Sequence, residues 1–341
     1  MTLLRRAGTF GAMILSVAIA HCGVAAAAEV RGAGSTFVFP IMSKWSAAYV
    51  GSGGDRIVYQ PIGSGAGILQ IKAGTVDFGA SDKPLPPAEL AEAGLVQFPL
   101  VFGGVVPIFN ITGLRPGQLR FTGPVLADIY LGKIRNWNDP RIATLNPRVR
   151  LPATSIKVVY RSDGSGTTFN WAHYLSAVSP EWRQRVGEGT TVEWPVGNGA
   201  KGSAGVATYV HMTPNAIGYI ESAYVLERDL TYGLVQNAAG RFVAPTKRGI
   251  QLAAASADWA HSSDFHIVVT NAPGADAYPI TATTFVLMYR TPKDRERSAA
   301  ALRFFRWALA KGQAQAEALS YVPLPASLVQ RVDAHISAGI K

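Results

Sequence analysis

The sequence predicts an α/β fold of two domains, and three observations lead to that prediction. Short runs rich in Val, Ile and Tyr alternate with amphipathic helical stretches, the order typical of largely parallel sheets covered by helices. The chain has 341 residues, 48% of them hydrophobic, which is enough for two packed cores. Residues 95–110 form an almost unbroken apolar run, and residues 271–284 contain two prolines and a glycine. Both segments are long enough to pass from one domain to the other.

Residues 1–28 have the pattern of a secretory signal peptide. Arg5 and Arg6 precede an uncharged stretch at residues 9–20, and four alanines end the segment at Ala28. The apolar stretch is shorter than the roughly 20 residues of a membrane-spanning helix. We predict cleavage near Ala28 and export of the mature chain. A lipid anchor at Cys22 is the alternative, but such anchors have a small residue directly before the cysteine, which this sequence lacks.

Charge and cysteine content narrow the classes of partner. The formal net charge is +10, and loss of the two arginines in the leader lowers it to +8. The single cysteine lies in the leader, so the mature chain has no disulfide and no cysteine-rich metal site. The positive charge suggests an anionic partner. Basic residues are interleaved with acids, as in residues 295–297, and they form no nucleic-acid module, so we predict a solvated surface and no nucleic acid.

Three strand–loop–helix junctions carry the same residue types. The first leads into a helix signalled by Pro40, and the second joins a strand at 56–62 to a helix at 65–73. The third joins a strand at 156–160 to a helix with apolar residues three and four positions apart. The loops themselves are Gly-, Ser- and Thr-rich and span residues 32–37, 63–67 and 162–167.

Glycine lets such a loop turn with positive φ and approach a ligand closely, while Ser and Thr place hydroxyls near the helix start. Free N–H groups and the positive end of the helix dipole make an anion site there. Arg161 directly precedes the third loop. The alternative interpretation is that the Ser and Thr residues only cap their helices. The repetition, together with Arg161, favours an oxyanion receptor.

The C-terminal region predicts a strand at 284–289 and a long helix. Residues 291–294 resemble a capping box with Pro292 at the first helical position, and the helix is expected to end at Gly312. If both apolar segments cross between domains, the first domain contains both chain ends. We therefore predict one domain at 29–104 plus 277–341 and an inserted one at 105–276.

Five segments in chain order resemble the periplasmic phosphate-binding proteins of high-affinity phosphate (Pst) ABC transporters. They are GAGSTF (32–37), YQPIGSGAGILQIKAGTVDFGASDKPL (59–85), YRSDGSGTTF (160–169), WPVGNGAKG (194–202) and YPITATTFVLMYR (278–290). The likeness covers essentially the whole mature chain. It implies a two-domain, hinged periplasmic solute-binding fold, type II-like, with the ligand in the interdomain cleft. It also implies one inorganic phosphate, delivered to membrane permease subunits by a monomeric protein without cofactor, metal or enzymatic activity.

The resemblance also implies the ligand contacts, position by position. They fall on Thr36, Phe37 (through its backbone N–H), Ser64, Asp82, Arg161, Ser165, Gly166 and Thr167. Asp163 matches the acid that pairs with the binding arginine. Gly65 departs from the pattern because relatives can carry Ser there, so a further hydroxyl contact is absent. Pro61 likewise replaces a commoner Gly, next to the contacts but outside them.

The residue types suit phosphate. Arg161 offers a planar fork of donors for two oxygens, which Lys does not. Asp82 is the most diagnostic residue, because a carboxylate beside an anion makes sense when the anion carries a proton to donate. Phosphate carries one at neutral pH and sulfate does not, so Asp82 would repel sulfate. The alternative is that Asp82 caps a turn or pairs with Lys83.

Other signals point to other functions and are weaker. A secreted phosphatase could use Ser64 or Ser165 as nucleophile, but it needs a base or a metal. No His lies in or beside the three loops except His173, on the far side of a helical turn and a half. His261, Asp264 and His266 could ligate a metal, yet no second cluster completes such a site. Residues 197–202 match GxGxxG, but no full strand precedes them as a dinucleotide site requires.

Overall fold

The structure, a computed structural model, describes residues 29–341. The predicted signal peptide, its cleavage point at Ala28 and Cys22 lie outside the described residues. Among residues 29–341, no helix combines the length and apolar character needed to cross a membrane.

The strands form an eight-stranded sheet and a small three-stranded one. In chain order they are β1 (Glu29–Gly34), β2 (Arg56–Gln60), β3 (Phe78–Ser81), β4 (Leu95–Phe109), β5 (Arg120–Phe121), β6 (Lys157–Arg161), β7 (Asn198–Ala200), β8 (Ala216–Glu221), β9 (Leu234–Gln236), β10 (Phe242–Val243) and β11 (Thr281–Tyr289). The small sheet has the order β10-β9-β5.

The helices cover the eight-stranded sheet. In chain order they are α1 (Phe39–Gly51), α2 (Ser64–Ala73), α3 (Pro87–Ala93), α4 (Gly123–Tyr130), α5 (Pro140–Ala143), α6 (Gly166–Val178), α7 (Pro180–Arg185), α8 (Gly202–Met212), α9 (Ser222–Glu227), α10 (Lys247–Ala255), α11 (Arg295–Lys311), α12 (Gln313–Ala318) and α13 (Ala326–Gly339). A 3₁₀ turn lies at Ser263–Phe265.

The large sheet has the order β2-β1-β3-β11-β4-β8-β6-β7, with a group of parallel strands at each end. Strands β2, β1 and β3 are parallel, and so are β8, β6 and β7. The two central strands β11 and β4 are antiparallel to each other and to their outer neighbours. The predicted α/β class is confirmed. The sheet is parallel at both ends, as predicted, but its two central strands are antiparallel.

Strand β4 belongs to both halves of the sheet. Residues up to Gly104 pair with β11, and from Val105 onwards the strand pairs with β8. All 15 residues of β4 are buried, which explains why the segment is an almost continuous apolar run. We call the β2-β1-β3-β11 side of this strand the first half of the molecule and the β8-β6-β7 side the second half.

Aromatic packing fixes the elements that carry Arg161. In the second half Trp171 of α6 stacks on Tyr219 of β8, with ring centroids 4.9 Å apart and planes 10° from parallel. The Tyr219 hydroxyl accepts a hydrogen bond from the N–H of Arg161 at 3.2 Å and pairs with Thr168 at 2.7 Å. The strand end before Arg161 and the first turn of α6 are therefore held to one buried ring.

The helix near the C-terminus begins later than the sequence predicts. We expected a capping box at residues 291–294 with Pro292 at the first helical position. Instead α11 begins at Arg295, and the N-cap is Asp294, whose side chain accepts from the N–H of Arg297 at 3.0 Å. A carboxylate at residue 294 satisfies this N–H and suits the helix dipole, so it determines the start. The predicted end at Gly312 is confirmed.

Candidate anion-binding site

The predicted site residues lie at the carboxyl ends of parallel strands. In the first half Thr36, Ser64 and Asp82 follow β1, β2 and β3. In the second half Arg161 ends β6, and Ser203 follows β7. Because parallel strands end at the same edge of a sheet, each group of loops is gathered at one edge, the usual location of ligand sites in α/β proteins. Contacts between Thr36 and Ser203 show that the two edges meet.

Asp82 is a buried carboxylate held by hydroxyl groups. It is 2% exposed. Ser35 donates to it at 2.6 and 2.8 Å, Thr284 at 2.7 Å and Ser64 at 3.4 Å. Burial raises the pKa of Asp82 to about 6, although these hydroxyls and the charge of Arg161 act to lower it. Among residues 29–341, no Lys, Arg or His side chain forms an ion pair with Asp82, and Arg161 pairs with Asp163 instead. The alternative pairing with Lys83 is therefore absent.

Arg161 is equally buried but is paired. Its Nε donates to Asp163 Oδ1 at 2.8 Å and its Nη2 to Oδ2 at 2.5 Å. Among the residues that the structure describes, its Nη1 donates only to the hydroxyls of Thr167 and Ser203, both at a long 3.4 Å. Asp163 thus fixes one edge of the guanidinium and leaves the Nη1 side directed at hydroxyl groups.

The pairing also sets the state of Asp163. Burial acts to raise the pKa of Asp163. The hydrogen bonds and charge of Arg161, together with the N–H of Gly202 at 2.9 Å, outweigh burial and hold the pKa below its usual value. The predicted pairing of Asp163 with Arg161 is present, and the pair carries no net charge at neutral pH.

The first turn of α6 faces the carboxylate of the first half. Ser165 is the N-cap of α6 and accepts from the N–H of Thr168 at 3.1 Å. Gly166 comes so close to the first half that an added Cβ would lie 2.6 Å from Ser64 Oγ and 2.7 Å from Asp82 Cβ. Asn170 donates to the backbone oxygen of Asp82 at 2.7 Å. The positive end of the α6 dipole therefore lies against Asp82.

The hydroxyls of the first half are not helix caps. Helix α1 has Val38 and α2 has Gly63 at the N-cap, and neither helix has a side-chain cap. The hydroxyl of Ser64 bonds to Asp82 instead. The capping alternative is therefore wrong for the first two loops and correct for Ser165 in the third. The backbone N–H of Phe37, implied as an anion donor, here donates to Ser35 Oγ at 3.0 Å.

Further contacts close the space between the halves. The N–H of Gly65 donates to the oxygen of Gly164 at 2.9 Å. Thr36 Oγ1 lies 2.9 Å from Ser203 Oγ, and the hydroxyl of Tyr224 reaches the oxygen of Thr36 at 3.4 Å. The structure is thus a closed arrangement in which buried donors of both halves surround one region.

Comparisons with known proteins agree with this fold and with the residue types of the site. A family model described as a PBP superfamily domain matches residues 23–311. The phosphate-binding protein PstS of Xylella fastidiosa (strain 9a5c) is 53% identical over 313 residues, covering 92% of this chain and 86% of that protein.

The chain belongs to the PstS family of phosphate-binding proteins.

More distant comparisons support the same family and fold. The PstS of Pasteurella multocida (strain Pm70) is 44% identical over 331 residues, covering 97% of this chain and 96% of that protein. A crystal structure of a phosphate-binding protein from Stenotrophomonas maltophilia superimposes with a TM-score of 0.69 at 19% identity, covering 90% of this chain and 94% of that one. The predicted two-domain fold of periplasmic binding proteins is confirmed.

Sequence reasoning missed several side chains of this PstS-family site. Ser35 and Thr284 donate to Asp82, and Ser203 contacts both Thr36 and Arg161. Ser35 lies inside the segment 32–37 and Ser203 directly follows the segment 194–202; both segments carry the family resemblance, but neither residue was given a role. Thr284 lies in the segment 278–290, which was used only as a sign of family and of a crossing.

The weaker signals do not lead to the site. His261 pairs with Asp258, and Asp264 lies 3.7 Å from His335, so two of the three proposed metal ligands have separate partners. Among residues 29–341 no group of three His, Cys, Asp or Glu side chains could hold a metal ion. The GxGxxG segment 197–202 itself contains β7 and the first residue of α8. It therefore does not follow a strand as a dinucleotide loop does.

Proposed function

We propose that the protein is a phosphate receptor of the periplasm that captures one inorganic phosphate and delivers it to the permease of an ABC transporter. The observation that carries the proposal is that one site contains two opposite buried charges that form no ion pair with each other. Arg161 supplies donors to an anion, and Asp82 stands opposite as an acceptor with no cation of its own. A ligand that suits both groups must be an anion that still carries a proton.

Arg161 and the hydroxyl groups would bind the oxygens of phosphate. The proposed donors are the Nη1 edge of Arg161, the hydroxyls of Thr36, Ser64, Ser165 and Thr167, and the N–H groups of Phe37 and Gly166. The Phe37 N–H and the Ser64 hydroxyl would exchange their present partners, Ser35 and Asp82, for phosphate oxygens. Hydrogen bonds to a charged group are each worth about 1.5–3 kcal/mol. Asp163 holds the guanidinium in the orientation that this binding requires.

Asp82 would discriminate between anions. Above its pKa of about 6 the carboxylate is ionised and can only accept hydrogen bonds. Phosphate at neutral pH offers a P–OH proton to it, whereas sulfate offers none and would place bare like charges side by side. Such repulsion costs far more in a buried site than in water. The selectivity for phosphate would therefore depend on a group that weakens the attraction of the site for anions in general.

The two halves would move relative to each other. We propose domains at 29–104 plus 277–341 and at 105–276, connected by crossings that include the buried strand β4. The change of partner in β4 between Gly104 and Val105 supports this division. Opening would separate Gly166 from Ser64 and give phosphate access, and closing would bring all donors around it.

Titration calorimetry of the mature protein, stripped of bound anion, tests the proposal. We expect one phosphate per chain with a Kd at or below the micromolar range, a monomeric protein, and no release of chromophore from p-nitrophenyl phosphate. Absence of phosphate binding would overturn the proposed function. Turnover of the ester that is lost on substitution of Ser64 or Ser165 would establish the phosphatase alternative instead.

A further inference from the structure

Ser203 is a buried hydroxyl in the second half that contacts residues on both sides of the site. It is the second residue of α8, directly after β7, and it is fully buried. Its Oγ lies 2.9 Å from Thr36 Oγ1 of the first half and receives Nη1 of Arg161 at 3.4 Å. Its backbone N–H donates to the same Thr36 oxygen at 3.2 Å. The segment 197–202 directly before it was considered above as part of the family resemblance and as a nucleotide loop.

The bond between Ser203 and Thr36 can run in either direction, and the proposed role of Thr36 as a donor to the anion selects one of them. A hydroxyl has one proton and two acceptor positions. Arg161 can only donate, so its contact occupies one acceptor position of Ser203, and in the selected direction the Ser203 proton goes to Thr36. Thr36 then accepts from both the N–H and the hydroxyl of Ser203. Both acceptor positions of Thr36 are filled, and its own proton has to point elsewhere.

We propose that Ser203 is a positioning residue that makes the Thr36 hydroxyl an obligate donor to the bound anion. The inference rests on the proposed function and adds to it a residue outside the contact set that the family resemblance implies. Ser203 acts through Thr36. A hydroxyl of undefined direction could present either a proton or a lone pair to an oxyanion, and only the proton is attractive.

The surroundings of Ser203 preserve this direction. Glu221, at the end of β8, is fully buried, and neither of its carboxyl oxygens has a hydrogen-bond partner. Burial raises the pKa of Glu221 well above its usual value, an effect that the nearby hydroxyl of Ser203 and the charge of Arg161 only partly offset. An ionised carboxylate here would compete with Thr36 for the Ser203 proton, and a neutral carboxyl competes much less.

The contact also connects the two halves. Thr36 follows β1 and Ser203 follows β7, so their hydrogen bonds can form only when the halves are together. Loss of the Ser203 hydroxyl should therefore affect release of the anion more than its capture, because the bond stabilises the closed state.

A double-mutant cycle of Ser203→Ala and Thr36→Val tests the proposal, with phosphate as the titrant and stopped-flow release as the kinetic readout. We expect Ser203→Ala to weaken phosphate binding about tenfold, mainly through faster dissociation. In the Thr36→Val background the same change should cost less than about threefold, because the residue through which Ser203 acts is gone.

Ser176→Ala is the matched control, because Ser176 is a buried serine whose hydroxyl has no partner and which lies outside the site. It should bind phosphate as the unsubstituted protein does. If Ser203→Ala does not fold, Ser203→Cys replaces the donor by a weak one of similar size, and we expect the same loss from it.

Two results would overturn the proposal while leaving the proposed function intact: unchanged phosphate affinity in the Ser203 variant, or an equally large loss with and without the Thr36 hydroxyl. A protein that binds no phosphate before any substitution would instead overturn the proposed function.

Discussion

The two sides of the site hold opposite buried charges and treat them differently. On the second half Arg161 is matched by Asp163 through two hydrogen bonds, so the pair is electrically neutral. On the first half Asp82 is surrounded by three hydroxyls and has no cation in contact within the described residues. Both side chains are almost completely buried.

The difference separates attraction from selection. A neutral ion pair with a free donor edge can bind oxyanions without demanding a particular charge. A buried carboxylate that no cation contacts favours a ligand that brings a proton. Burial raises the pKa of Asp82 to about 6 for the same reason, although the hydroxyls and the more distant charge of Arg161 act to lower it. The Arg161 side would thus determine how tightly anions bind, and the Asp82 side would determine which ones.

Removing the attractive side should have the largest effect. We expect Arg161→Met to weaken phosphate binding about a thousandfold, because charged hydrogen bonds are lost and Asp163 is left as an unpaired buried charge. Titration calorimetry measures the loss. The double variant with Asp163→Asn removes the unpaired charge, and it should fold better but still bind weakly. Full affinity in that double variant would show that Arg161 is not the anion-binding group.

Keeping the two sides apart should have the next largest effect. An added methyl at Gly166→Ala would lie within 2.7 Å of Ser64 and Asp82, so the halves could not close fully. We expect about a hundredfold weaker phosphate binding and faster release. Gly205→Ala in α8 is the matched control, since its added methyl has no neighbour nearer than 3.6 Å. Equal affinities of the two variants would contradict the closed arrangement as the binding state.

Changing the charge of the selective side by pH should have a smaller effect. The pKa of Asp82 is about 6, so the group is ionised at pH 8 and about nine-tenths protonated at pH 5. A protonated Asp82 can donate to sulfate. Sulfate should therefore compete with phosphate roughly tenfold better at pH 5 than at pH 8, with the change centred near pH 6. Competition that does not vary with pH would separate selectivity from the ionisation of Asp82.

The sequence predicted what is encoded locally or in chain order. The three Gly-, Ser- and Thr-rich loops and the buried apolar run at 95–110 depend on neighbouring residues, and the Arg161–Asp163 pair was implied by the family resemblance. The start of α11 was misplaced because two local rules competed, Pro at the first helical position and an acidic N-cap, and Asp294 prevailed.

The partners of the buried groups could not be predicted in the same way. Thr284 donates to Asp82 from 202 positions away, and Ser203 reaches Thr36 from 167 positions away. These pairs arise only when the ends of separate strands are brought to one edge, and single serines or threonines carry no signal of that. The hydroxyls of Thr36 and Ser64 resembled helix caps for the same reason, because their true partners lie in other loops.

The most direct test of selection by Asp82 is calorimetric titration of the ligand-free protein with sulfate at pH 8, compared with its Asp82→Asn variant. We predict that the unsubstituted protein binds phosphate but takes up no sulfate at millimolar concentration. The amide variant should bind sulfate measurably, because an amide can donate to it. Sulfate binding as tight as phosphate binding before substitution, or no gain of sulfate binding in the variant, would contradict the account.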